Sequence, residues 1–205
     1  RRAASARSTA RPPDAREGIG KVTRAPGFPQ AIDDGGAEHL TPGMTLPPIA
    51  LPATDGAAVN LAEIRGRSIV AVYPWTGRPG FPNPPDWNQI SGAHGSTPEL
   101  EGLRDRHADF AETGVHLFGL SRQDAAYQRE LVARLGLPFP VLSDAEGAFA
   151  AALKLPTFVT GGITYLKRLT LLIADGRIER VFYPVVDPAG HAAEISREVE
   201  SGPKR

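Results

Sequence analysis

Apolar positions along this chain change period several times, and the changes locate its elements. The run 68–73 (SIVAVY) is continuously apolar and β-branched, which predicts a strand covered on both faces. The run 115–120 (VHLFGL) reads the same way. Between them Leu100, Leu103, His107, Phe110 and Ala111 recur at helical spacing, and Gly114 marks the stop. Asp124 is placed to cap a helix in which Tyr127, Leu131 and Leu135 share a face, with Gly136 as its end. A short strand at 139–142 and an Ala-rich helix at 145–153 follow. The runs 169–174 and 177–183 flank Asp175-Gly176, the clearest hairpin signal in the chain. Asp187-Pro188 opens a last helix to about Val199, with Ala192, Ile195 and Val199 on one side. Upstream, 49–51 and 57–59 flank Thr54-Asp55-Gly56, a second hairpin, and Leu61, Ile64 and Gly66 predict a helical turn that stops.

The predicted order is ββ, a turn, then β–α–β–α–β–α–β–β–α. Strands alternating with helices and closed by an antiparallel hairpin and a helix predict an α/β fold, a mixed sheet with helices on both faces. Residues 40–202 are expected to form this one domain, and 1–39 a disordered basic tail and linker. Residues 1–24 carry seven basic side chains against two acidic ones and no apolar core of a secretory signal. That composition fits a solvated tail and also an organelle transit peptide; a cytoplasmic location is the expectation.

Composition narrows the chemistry. The formal net charge is zero and the basic tail has no interleaved aromatics, so neither nucleic acid nor an acidic surface is indicated as a partner. No apolar run approaches the ~18 residues that span a membrane. The chain has no cysteine, which excludes disulfides, thiolate metal sites and thiol catalysis by the chain as it stands. His39, His94, His107, His116 and His191 show no metal-ligand spacing, and His94-Gly-Ser-Thr-Pro98 lacks the flanking glycines of a nucleophile elbow. No cofactor is indicated.

Chemistry is expected where strand 68–73 feeds a helix beginning at Ser96 or Thr97, because a first helical turn offers unpaired N–H groups and a positive dipole end. On residues alone Ser96 and Glu99 match a capping box, and Pro98 suits a helix start. Trp75, Phe81 and Trp87, in the proline-rich loop between, are expected to pack on their own domain.

Gly95-Ser96-Thr97-Pro98 followed by Leu103-Arg104-Asp105 resembles the G-C-T-P…F-R-D segment of bacterioferritin-comigratory-type peroxiredoxins, in the alkyl hydroperoxide reductase/thiol-specific antioxidant family. Tyr73-Pro74-Trp75-Thr76-Gly77-Arg78-Pro79-Gly80, the pair Asp86-Trp87 and the stretch from Ile90 to Ser96 are similar to further motifs of one subgroup. Leu166-Lys167-Arg168-Leu169-Thr170 resembles the strand that carries the family's active-site arginine. The resemblance covers about residues 41–200. It implies a thioredoxin-like fold with an N-terminal hairpin addition and a lineage of thiol-dependent peroxide reduction. It implies Ser96 in the seat of the peroxidatic cysteine, with Arg168 and Pro74 beside it, and Thr97, Gly95, His94 and Trp75 lining the substrate site. As partners it implies a peroxide-like small molecule or anion at the helix N-terminus, a thiol reductant for a Cys-bearing form, and room for a homodimer. Two departures stand out: Glu101 occupies the place of the resolving cysteine of some relatives, and Ala93 that of a family threonine.

In that site a helix end and an arginine stabilise a thiolate. A serine hydroxyl is a far weaker acid and has no sulfenic state to be recycled. Three readings follow: a thiol peroxidase held as an inactive Cys→Ser form, a natural pseudo-peroxidase that binds a small molecule or partner, and an enzyme that uses serine or histidine differently.

Overall fold

The computed structural model describes residues 27–202. The Thr54-Asp55-Gly56 turn closes β1 (Ala50–Pro52) onto β2 (Ala58–Asn60), as the sequence predicts. The apolar run at 68–73 becomes β3 (Arg67–Val72). After the proline-rich loop and a short 3-10 turn at Trp87–Gln89 come α1 (Ser96–Asp105) and α2 (His107–Glu112). These were expected as one helix to Gly114; Arg106, at φ −107° and ψ 8°, breaks the axis. Next come β4 (His116–Ser121), α3 (Ala125–Leu135), β5 (Val141–Ser143) and α4 (Ala148–Leu153). Asp124 caps α3 as expected, accepting from the Tyr127 N–H at 2.7 Å. An unpredicted hairpin follows, β6 (Thr157–Thr160) and β7 (Ile163–Leu166), turning on Gly161-Gly162. The chain ends with β8 (Leu169–Ala174), β9 (Arg177–Phe182) and α5 (His191–Ser201). The last helix starts three residues after Pro188, since Pro188–Gly190 form a turn.

The main sheet runs β5-β4-β3-β8-β9, parallel among β3, β4 and β5 and antiparallel where β8 joins β3 and β9. Alternation along β3 sorts its side chains to two cores. Val70 and Val72 face one with Phe149 and Leu153 of α4, whereas Ile69, Ala71 and Tyr73 face the other with α1, α3 and α5. This is the expected mixed sheet with helices on both faces. Among the described residues no helix is long and apolar enough to cross a membrane.

The expected boundary near residue 40 needs correction. Residues 27–39 are not a free linker but a strap laid along the domain. Ala37 joins the first core, the Asp34 carboxylate pairs with Lys167 and accepts from the Tyr183 hydroxyl, and the Pro29 carbonyl accepts from the Gly92 N–H at 3.1 Å. The strap is polar and glycine-rich, so its anchors are hydrogen bonds and ion pairs that no hydrophobic period announces. The expectations for residues 1–26 lie outside the described residues.

Candidate active site

Ser96 is the first residue of α1, buried to 4 % exposure. The capping box read from Ser96 and Glu99 does not form. The residue before the helix is Gly95, at φ +114°, and among the described residues no side chain caps the end. A Cβ at Gly95 would come 2.5 Å from Pro188 Cγ, so backbone strain and close approach both demand glycine. Pro98 falls third in the helix, still in the turn whose N–H groups have no intrahelical acceptor.

Glu99, freed from capping, is fully buried and pairs with the Arg168 guanidinium, itself 3 % exposed. Arg168 stands in the link between β7 and β8, held by the Lys167 N–H donating to the Pro156 carbonyl at 2.7 Å. One of its terminal nitrogens, Nη2, donates to Ser96 Oγ at 3.1 Å and to the His94 carbonyl at 3.2 Å. The arginine thus ties the loop before α1 to the edge of β8, and its charge lies against the Ser96 hydroxyl. Sequence reasoning gives Glu99 a capping role rather than a place in the site, yet a signal for its burial exists. Ser96, Glu99, Leu100 and Leu103 fall at i, i+3, i+4 and i+7, so a carboxylate sits on the buried face of α1, where it must be paired.

His94 donates from Nε2 to Asn88 Oδ1 at 2.9 Å and is stacked on Phe28 of the strap, ring centroids 3.6 Å apart. Burial, and secondarily the Arg168 charge, hold its imidazole below the usual range, so the ring is neutral at neutral pH. Among the described residues no imidazole or carboxylate hydrogen-bonds the Ser96 hydroxyl, so no general base is placed to activate it.

A cleft of about 370 Å³ opens over this helix end. Gly95, Ser96, Thr97, His94 and Trp75 all line it. Pro74 does not; it is buried at the end of β3 and faces a neighbouring hollow with Arg122 and Tyr165. Trp87 is buried, edge-on to Trp75 at 5.4 Å and to Tyr165 at 5.1 Å. The aromatic loop packs on its own domain as expected, apart from Phe81, which is 69 % exposed.

Residues 41–196 match the Redoxin family model. The chain is 30% identical over 150 residues to peroxiredoxin Bcp of Escherichia coli K12, covering 70% of this chain and 85% of that protein. This chain belongs to the peroxiredoxins of the redoxin family. The fold agrees: peroxidoxin BcpB of Mycobacterium tuberculosis superposes with a TM-score of 0.65 at 23% identity, over 80% of this chain and 98% of that one. A Cys→Ser mutant of Xanthomonas campestris peroxiredoxin Q gives 0.64 at 21% identity, over 80% and 100%. This peroxiredoxin carries Ser96 in the seat the family resemblance gives to the peroxidatic cysteine, and its sequence holds no thiol. The family match begins at residue 41, so the strap that stacks on His94 lies outside it.

Proposed function

We propose that this peroxiredoxin keeps the binding half of a peroxide-reducing site and, with Ser96 in the nucleophile seat, does not turn peroxide over. The contact between Arg168 Nη2 and Ser96 Oγ carries the reading, because the same nitrogen would face a thiolate or a peroxide oxygen in that seat. In a Cys-bearing form the thiolate attacks the outer peroxide oxygen and the O–O bond breaks. The thiol becomes a sulfenic acid and the alkoxide takes a proton to leave as an alcohol. A first donor thiol condenses with the sulfenic acid to a mixed disulfide, releasing water, and a second displaces the cysteine as thiol and leaves as the donor disulfide. Ser96 supports none of these steps. A second reading, a natural binding module, is favoured by the open cleft over Ser96 and by the absence of a resolving thiol at Glu101.

The test is peroxide consumption with a dithiol reductant in metal-free protein. The expected outcome is none above blank for the unmodified chain, and a sulfenic acid trapped in Ser96→Cys. Sustained consumption by the unmodified chain overturns the first statement. A cysteine at 96 that peroxide leaves untouched overturns the claim that the site survives.

A further inference from the structure

The cleft over Ser96 contains two guanidinium groups that the peroxide chemistry does not use. Arg78 reaches it from the proline-rich loop and Arg134 from the last turn of α3. They share one carboxylate, Glu130, at 3.4 Å from Arg78 and 2.8 Å from Arg134, and among the described residues no acidic side chain lines the cleft itself. Arg168 is matched by Glu99, so the cleft keeps one surplus positive charge.

Arg78 is also poorly satisfied. Its buried Nε faces Glu130 Oε2 at 3.4 Å without a hydrogen bond among the described residues, and its Nη2 donates to the Tyr127 carbonyl at a long 3.4 Å. Yet it is held in place, its guanidinium lying over the Tyr127 ring at 4.0 Å. Arg134 is fixed by Glu130 and by the Gly77 carbonyl at 3.0 Å. Two positioned, incompletely used forks suit an oxyanion, which accepts paired hydrogen bonds from guanidinium. The Trp75 and Trp87 indoles supply an apolar wall beside them.

We propose that Arg78 and Arg134 form an oxyanion subsite, so that the ligand of this cleft is an organic molecule with an apolar body and a carboxylate or phosphate group. The subsite deepens the function proposed above and rests on the cleft over Ser96 being the working pocket. The body lies against Trp75 and Trp87, the oxyanion meets the arginines, and the other end reaches Ser96 and Thr97. In a Cys-bearing form the substrate is accordingly an organic hydroperoxide that carries such an anion.

Both tryptophans of the chain line the cleft, so intrinsic fluorescence reports its occupancy. The probes are meta-iodobenzoate, its neutral counterpart meta-iodobenzyl alcohol, and iodophenyl phosphate, whose iodine quenches indole on contact. Saturable quenching by at least one anion, about tenfold tighter than by the alcohol and weakened by added salt, is expected. The tighter of the two anions identifies the source. Arg134→Gln and Arg78→Gln should each weaken anion binding about tenfold, and Arg129→Gln, an exposed position on the same helix, should not. Equal affinity for acid and alcohol, or equal loss in Arg129→Gln, overturns the proposal. Should an arginine variant fail to fold, the salt dependence and the acid-to-alcohol ratio in the unmodified protein still decide it. Quenching needs no thiol, so its failure is distinct from a failure of Ser96→Cys to react with peroxide.

Discussion

The Ser96–Arg168–Glu99 cluster makes a quantitative forecast for a thiol placed at 96. Arg168 Nη2 lies 3.1 Å from Ser96 Oγ. An opposite charge this close lowers an acid's pKa by roughly 1–3 units. The first turn of α1 contributes about 0.3–1 kcal/mol in the same direction, which is under one unit. Glu99, paired with the same guanidinium, opposes both. The net expectation for Ser96→Cys is a thiol pKa of about 6–7, against ~8.5 unperturbed. Arg168→Ala alone is a poor probe, because stranding the buried Glu99 costs roughly 3–5 kcal/mol and threatens the fold. Glu99→Gln/Arg168→Gln removes both charges together and should return the thiol towards ~8.5. Glu99→Gln alone should lower it further, by about a unit. Alkylation rate against pH, checked by the ultraviolet absorbance of the thiolate, measures all three. A pKa near 8.5 in Ser96→Cys, unmoved by the double substitution, would refute the claim that the arginine field is aimed at residue 96.

Gly95→Ala should cost at least ~2 kcal/mol in denaturant unfolding, since φ +114° and the 2.5 Å approach of Pro188 both reject a Cβ; a loss under about half a kcal/mol would show that the loop before α1 can relax. Asp34→Asn should release the strap, read as faster amide exchange at Gly92, while global stability falls by under ~1 kcal/mol because the pair lies at the surface, its side chains 29% and 35% exposed and open to solvent screening. Lys167, with the Tyr183 hydroxyl second, holds the Asp34 carboxyl down at about 2 from its ordinary 3.8. Its folded value is depressed, so its contribution is complete above about pH 4 and fades as pH falls towards 2. Strap release that sets in only above pH 5 would assign the anchoring to another group.

Much of the architecture was legible because it rests on local rules. The continuous β-branched run of β3, the Asp124 cap and Gly136 stop of α3, and the Asp175-Gly176 turn each carry their signal within a few residues. The β6–β7 hairpin carried one too, a Gly161-Gly162 pair between two β-prone runs, and was overlooked. Ser96 and Arg168 were named from motif resemblance, but their contact spans 72 positions and exists only because β8 pairs with β3, whose exit loop leads to α1. The role of Glu99 was ambiguous at the sequence level. Its spacing from Ser96 fits a capping box as well as a buried face, and burial of Arg168 decided between them, since an unpaired guanidinium in that core would be too costly. The strap and the two arginines over the cleft were beyond local reading altogether. Phe28 meets His94, and Arg78 and Arg134 share Glu130, through chain segments that only the packed sheet and helices bring together. Hydrophobic periodicity reports which face of an element is covered; it carries no record of which charges the covering brings face to face.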